Sequence, residues 1–102
     1  MNYKNFKEGV FQRLRNRKSD LNLLVEWDDG REFSKLMDDA HGKALMRLGH
    51  MPKAQEERDY VFREFKRNLR MAIHMHKDMN TYVQWHELRL LLEQAYRTVS
   101  SK

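Results

Sequence analysis

An all-α fold, a compact bundle of four to five helices with one long basic amphipathic helix, is what this sequence predicts. Three observations carry the expectation. Apolar residues recur at helical spacing through most of the 102 residues. Glycine, limited to four residues, and proline, limited to one, fall mainly where helices should end. The connections between the periodic stretches are short, as they are between neighbouring helices of a bundle. A chain that is 40% apolar and 34% charged can fill one core and still carry a densely charged exterior. Residues 1–102 are therefore expected to form a single helical domain, with no repeat, low-complexity tract or linker dividing them.

The first helix is expected from about Asn5 to Arg17, with Phe6, Val10 and Leu14 at i, i+4 and i+8 and with Tyr3 and Phe11 beside that stripe. Ser19 would cap a short second helix from Asp20 to about Asp28, whose Leu21, Leu24 and Val25 share a face. The same residues, LNLLVEWDDGREF, also alternate in part as a strand, and Asp29-Gly30 suits a hairpin turn between Trp27 and Phe33. An α+β fold with a small hairpin around residues 21–34 is thus the alternative. Helix is preferred because no third strand exists to support an isolated hairpin.

From about Phe33 to Leu48 the helical period is clear, through Leu36, Met37, Ala40, Ala44 and Leu45, and Gly49 is placed to end the helix in a left-handed conformation. Gly42 inside it costs about 1 kcal/mol relative to alanine and so predicts close packing or a break. Pro52 suits the first position of a long helix from Lys53 to Lys77, where its missing N–H does no harm, and Glu56, Glu57 and Asp59 complement the dipole there. A break at Asp78 to Thr81 follows. Thr81 is the expected cap of a last helix through about Thr98, striped by Trp85, Leu88, Leu91, Leu92, Ala95, Tyr96 and Val99.

The long helix has two opposed faces. At about 100° per residue, Val61, Phe62, Phe65, Leu69, Ala72 and Ile73 gather on one side, and Arg63, Lys66, Arg67, Arg70, His74 and Lys77 gather opposite. Such a cationic strip can meet successive phosphates or an acidic protein groove. Its only nearby carboxylate is Asp59, and its arginines favour bidentate contacts. Arg13, Arg15, Arg17 and Lys18 of the first helix would widen it into a platform if folding set the two helices side by side. Otherwise they would pair with the acidic segment of Glu26, Asp28, Asp29, Glu32, Asp38 and Asp39.

Net charge is +5 and the pI is near 9.6, but the charge is partitioned. Counted along the chain it is +4 over residues 1–20, −4 over 21–42, +5 over 43–77 and zero over 78–102. A polyanion or a partner of mixed charge fits that pattern.

Other candidates are weaker. Met71, Met75 and Met79 follow at i, i+4 and i+8 on the border of the apolar and basic faces, where thioethers either fill core gaps or adapt to a partner. Trp27, between two acidic residues, is either a partner anchor or a lid on the core. Tyr60, Tyr82, Trp85 and Tyr96 fall mostly on apolar stripes and are expected in the core. His74 and His76, two apart on a helix, point about 160° away from each other and cannot share a metal ion. His86-Glu87 opens like a zinc-protease motif, but Leu90 stands where the second histidine is required.

No metal site, no cofactor and no catalytic residue is therefore expected. The sequence holds no glycine-rich phosphate loop, no nucleophile elbow and no grouped serine, histidine and aspartate. With no cysteine there is no disulfide or thiolate chemistry, and with no signal peptide or membrane span a cytoplasmic protein is expected. The expected activity is non-catalytic: a small regulatory or adaptor protein whose basic helical face binds an acidic macromolecular partner. Protein is favoured over nucleic acid, and a nucleic-acid-processing enzyme is a fitting target. In type, though by no motif, it looks like the small accessory proteins with which bacteriophages and mobile elements inhibit or redirect host enzymes. Direct, largely sequence-independent nucleic-acid binding through the same face is the alternative.

Overall fold

The computed structural model describes residues 2–16 and 20–100, and the regular structure among them is entirely helical. In chain order the helices are α1 (Tyr3–Arg15), α2 (Leu23–Glu26), α3 (Arg31–Leu48), α4 (Gln55–Met75), α5 (Met79–Tyr82) and α6 (Trp85–Ser100). α2 and α5 are single turns, and 3-10 turns at Asp20–Asn22 and Trp27–Gly30 flank α2. The all-α expectation holds, and the hairpin alternative for residues 21–34 does not. The expected cap Ser19 lies outside the described residues.

α1 starts two residues earlier than its apolar stripe predicts. Asn2 is its N-cap: the side-chain carbonyl accepts the Asn5 N–H at 3.3 Å. It ends at Arg15, where Arg13 and Arg15 complement the negative end of the dipole.

The Asp-Gly signal is real but serves a different reversal. Asp28 (φ 50°), Asp29 (φ 57°) and Gly30 (φ 80°) are all left-handed and turn the chain from α2 directly into α3. Asp tolerates that region better than most residues, and glycine pays nothing for it. Gly30 is also needed for space, because a Cβ there would stand 2.9 Å from the Phe11 ring. The apolar residues on both sides of the turn, Leu21 and Leu24 before it and Phe33 and Met37 after it, are buried in one core. Helical spacing lets all four face inward.

α3 and α4 form an antiparallel helical hairpin. Its cross-links run in order from the open end to the loop: His76 to Glu32, the Asn68 amide to the Ala40 carbonyl at 3.1 Å, Arg47 to Glu64 at 2.8 Å and His50 to Glu57 at 3.0 Å. Gly49, at φ 90°, ends α3 as expected, its N–H bonded to the Leu45 carbonyl. Gly42 corrects its expectation: α3 runs through it unbroken, and an added Cβ would meet nothing within 4 Å.

Both ends of the long helix are shorter than predicted. It begins at Gln55, not beside Pro52, because the Glu57 carboxylate reaches back to accept the N–H groups of Lys53 (3.0 Å) and Ala54 (3.1 Å). Those two bonds hold the Glu57 carboxyl below its ordinary range. It ends at Met75, because His76 is extended (φ −81°, ψ 127°). Thr81 is not the cap of the last helix: it lies inside α5, and α6 begins at Trp85 after a break at Val83 and Gln84.

α1 lies along α6 and meets α4 through aromatic contacts. Phe6 stands edge-on to Phe62 and Phe65, with ring centroids 5.9 and 5.5 Å away, and Phe62 stacks on Tyr96 at 4.0 Å. Leu14, Leu69, Leu88 and Leu91 complete the centre of the core. The radius of gyration, 13.1 Å, is that of a well-packed chain of this length. Among the described residues no helix is long and apolar enough to cross a membrane.

Candidate functional site

α4 is positioned by its apolar side, and that decides what its other side can do. Val61, Phe62, Phe65, Leu69 and Ile73 are buried against the bundle. Arg63, Arg67, Arg70 and His74 are thereby turned outward along about 16 Å of helix. Arg67, Arg70 and His74 make no hydrogen bond or ion pair among the described residues. Arg63 lies over the Tyr60 ring, 6.0 Å from its centroid. Asp59 accepts the Tyr96 hydroxyl and the Gln55 amide, each at 2.8 Å; those two bonds first, and then the charges of Arg58 and Arg63, hold its carboxyl low.

Of the six cations predicted for this strip, Lys66 is drawn out of it and Lys77 lies beyond the end of the helix. The Lys66 side chain is only 20% exposed, with Nζ 2.9 Å from the Glu93 carboxylate of α6 and 4.7 Å from the centroid of the Phe62 ring. It is an internal tie between α4 and α6. The Glu93 carboxyl is held low first by that Lys66 bond, with Arg89 and Arg97 adding to it. Lys77 is exposed, but it follows the extended His76, so a helical projection does not place it.

The expected platform with α1 does not form. α1 meets α4 through Phe6 on the buried side of α4, away from Arg63, Arg67 and Arg70. Arg13 folds back to the Gly9 carbonyl (3.2 Å) and reaches the Thr98 hydroxyl of α6 (3.0 Å). Arg15 lies over the Phe11 ring at 5.8 Å. Arg17 and Lys18 lie outside the described residues. The acidic segment takes part of this charge, since the Lys7 ammonium is 3.0 Å from Asp38.

The methionines separate into two groups. Met71 and Met75 are 55% and 82% exposed at the end of α4, whereas Met79 is fully buried because the chain leaves the helix at His76 and re-enters the core as α5. A shallow groove of about 270 Å³ lies between Arg70, Met71, His74 and Met75. Trp27 is half-buried, its ring 6.2 Å from His76 and 6.1 Å from Tyr82. Of the four tyrosine and tryptophan candidates, Tyr96 is buried, Tyr60 and Trp85 are half-buried and Tyr82 is exposed at one edge.

Two features escape the sequence reading. Asp38 is a hub: it accepts the Tyr3 hydroxyl at 2.7 Å as well as the Lys7 ammonium, while the Tyr3 ring stacks on His41 at 3.9 Å. Burial, and then Asp38, push the Tyr3 hydroxyl far above its ordinary pKa. Burial also pushes the His41 imidazole down, against the pull of Asp38. Met46 and Met51, at the loop end of the α3–α4 hairpin, are the other exposed thioethers among the described residues. No periodic signal marks them, because one lies at the outer edge of α3 and the other in a loop.

Among the described residues, no group of three or more histidine, aspartate or glutamate side chains is placed to hold a metal ion. Comparison of the chain with family models, with curated proteins and with solved structures finds no match, and the outer face of α4 is read on its own chemistry.

Proposed function

We propose that this chain is a small non-catalytic regulatory or adaptor protein of the cytoplasm that docks the outer face of α4 on a larger, acidic protein. A nucleic-acid-processing enzyme is the kind of target that fits. One observation carries the reading: Arg63, Arg67, Arg70 and His74 lie exposed on one side of α4 beside Met71 and Met75, and Arg67, Arg70 and His74 have no counter-ion among the described residues. Three of these four are arginines, whose planar forks suit carboxylates, and a thioether edge suits a protein surface that also has apolar groups to cover.

Direct nucleic-acid binding through the same face is the competing reading, favoured by the net charge of +5 and the row of guanidinium groups. It draws less support from the aromatic residues. Tyr60, Trp85 and Tyr96 pack into the bundle, which leaves little to stack on unpaired bases.

Affinity capture from nuclease-treated cell lysate tests the docking reading. The expected result is one dominant protein that an R63E/R67E/R70E variant with unchanged helical content and melting temperature no longer recovers. Equal recovery by that variant would remove α4 as the docking surface. Titration of generic duplex and single-stranded oligonucleotides at low salt tests the competitor. Binding that weakens steeply with salt, with a slope that falls by about one for each phosphate contact removed, would transfer the face to nucleic acid.

A further inference from the structure

The docking reading above leaves open what shape of partner α4 accepts, and the relief of its surface narrows that. Its exposed side is built from two parallel rows at i, i+4 spacing. One runs Arg70, His74, beyond the part-buried Lys66; the other runs Arg63, Arg67, Met71, Met75. Between them opens the groove lined by Arg70, Met71, His74 and Met75. Its walls differ in kind: Arg70 and His74 make one cationic wall, and Met71 and Met75 make a thioether wall that Arg67 continues.

Neither wall is spent on the fold. Arg67, Arg70 and His74 have no partner among the described residues, and the two methionines stay largely in water. A nucleic-acid backbone would neutralise the cations and gain little from the methionines. An α-helix presents rows of the same pitch, which is why i±4 ridges seat in i±4 furrows at crossing angles near −50°. Its adjacent rows can also differ in character, one acidic and the next apolar, as the two walls of this groove require.

We propose that the occupant of the α4 groove is an acidic amphipathic α-helix of a protein partner, seated ridge into furrow. Its carboxylate row meets Arg70 and His74, its neighbouring apolar row covers Met71 and Met75, and a carboxylate at the end of that apolar row meets Arg67. Recognition is then strict about charge, because each arginine fork needs a carboxylate, and tolerant about apolar shape, because thioethers repack easily. Lys66 takes no part, since Glu93 already holds it.

Two synthetic peptides of about five helical turns test this. One carries glutamate along an i, i+4 row and leucine along an adjoining row that ends in glutamate; the other has the same composition with the rows scrambled. By fluorescence anisotropy the patterned peptide is expected to bind at least about tenfold more tightly. The R67E/R70E and M71Q/M75Q variants, each folded by circular dichroism, are expected to weaken it by about tenfold. Peroxide oxidation read by mass spectrometry locates the contact. The patterned peptide should slow oxidation of Met71 and Met75 and leave Met46 and Met51, which are 82% and 68% exposed, reacting at their free rate.

Equal binding of the two peptides, unprotected Met71 and Met75, or no effect of M71Q/M75Q would overturn the proposal. If any of these occurs while capture of a protein through Arg63, Arg67 and Arg70 persists, the helical occupant is wrong and the docking reading survives. If duplex DNA binds and neither peptide does, both fall.

Discussion

His76 and Glu32 stand 2.6 Å apart across the open end of the α3–α4 hairpin, with imidazole Nε2 facing the carboxylate. The other ring nitrogen, Nδ1, accepts the N–H groups of Asp78 and Met79, each at 3.2 Å. Those contacts assign the tautomer: Nδ1 bears the lone pair and Nε2 donates to Glu32. One histidine thus closes the hairpin and caps α5. It also ends α4 at Met75, which sends Met79 into the core and leaves Met75 as the last exposed residue of its row.

Replacing His76 by alanine should leave the first N–H groups of α5 and the Glu32 carboxylate without this partner. A loss of about 1–2 kcal/mol is expected, the range of a lost cap and a lost hydrogen bond. Amide exchange should accelerate in Met79–Tyr82 more than in α6, and Trp27, whose ring lies 6.2 Å from His76, should change its fluorescence. Uniform exchange rates across α5 and α6 would show that the cap is redundant.

Gly30 and Gly42 should respond to alanine in opposite directions. Gly30→Ala forces a left-handed alanine against the Phe11 ring and should cost about 1–3 kcal/mol. Gly42→Ala places a methyl group in open space on a continuous helix and should gain about 0.5–1 kcal/mol, a rise in melting temperature of several degrees. Thermal melts of the two variants check both signs.

Lys66 should be separable from the strip in whose sequence it lies. Lys66→Ala removes a half-buried, charge-assisted bond to Glu93 and should lower stability by about 1 kcal/mol. Arg67→Ala should leave stability unchanged and weaken partner binding. A Lys66→Ala protein that folds as stably as the parent but loses its partner would reverse that assignment.

His41 should give the protein a mild sensitivity to acid. Its imidazole is pushed below the ordinary 6.5 by burial, so the unfolded chain takes up its proton first as pH falls. The stabilisation is complete above 6.5 and is lost as pH drops through the lower folded value. Urea melts from pH 7.5 downward should show this loss in the parent protein and a smaller one in His41→Phe, which keeps a ring to stack on Tyr3. Glu93 acts lower: its depressed carboxyl contributes stability above 4.5 that disappears as pH falls through its folded value. Parallel curves for the parent and His41→Phe between pH 7.5 and 5.5 would remove His41 from this account.

What the sequence determined by itself is what depends on near neighbours along the chain. The helical period of Phe6, Val10 and Leu14, or of Val61, Phe65 and Leu69, specifies a helix and its buried side, and these residues are buried in the bundle. Gly49 ends α3 because a left-handed C′ residue is a local requirement. Arg63, Arg67, Arg70 and His74 share an outward side for the same reason. Tertiary structure decided what distant residues do to one another. Glu93 removes Lys66 from the strip from 27 positions away, and Phe6 holds the α1 cations on the far side of α4. The imidazole of His76, bonded to Glu32 from 44 positions away, stops the helix before Lys77 and buries Met79. Helical spacing dictates which residues share a side, but whether a charge on that side stays free depends on which carboxylate the packing of the core brings within 3 Å of it.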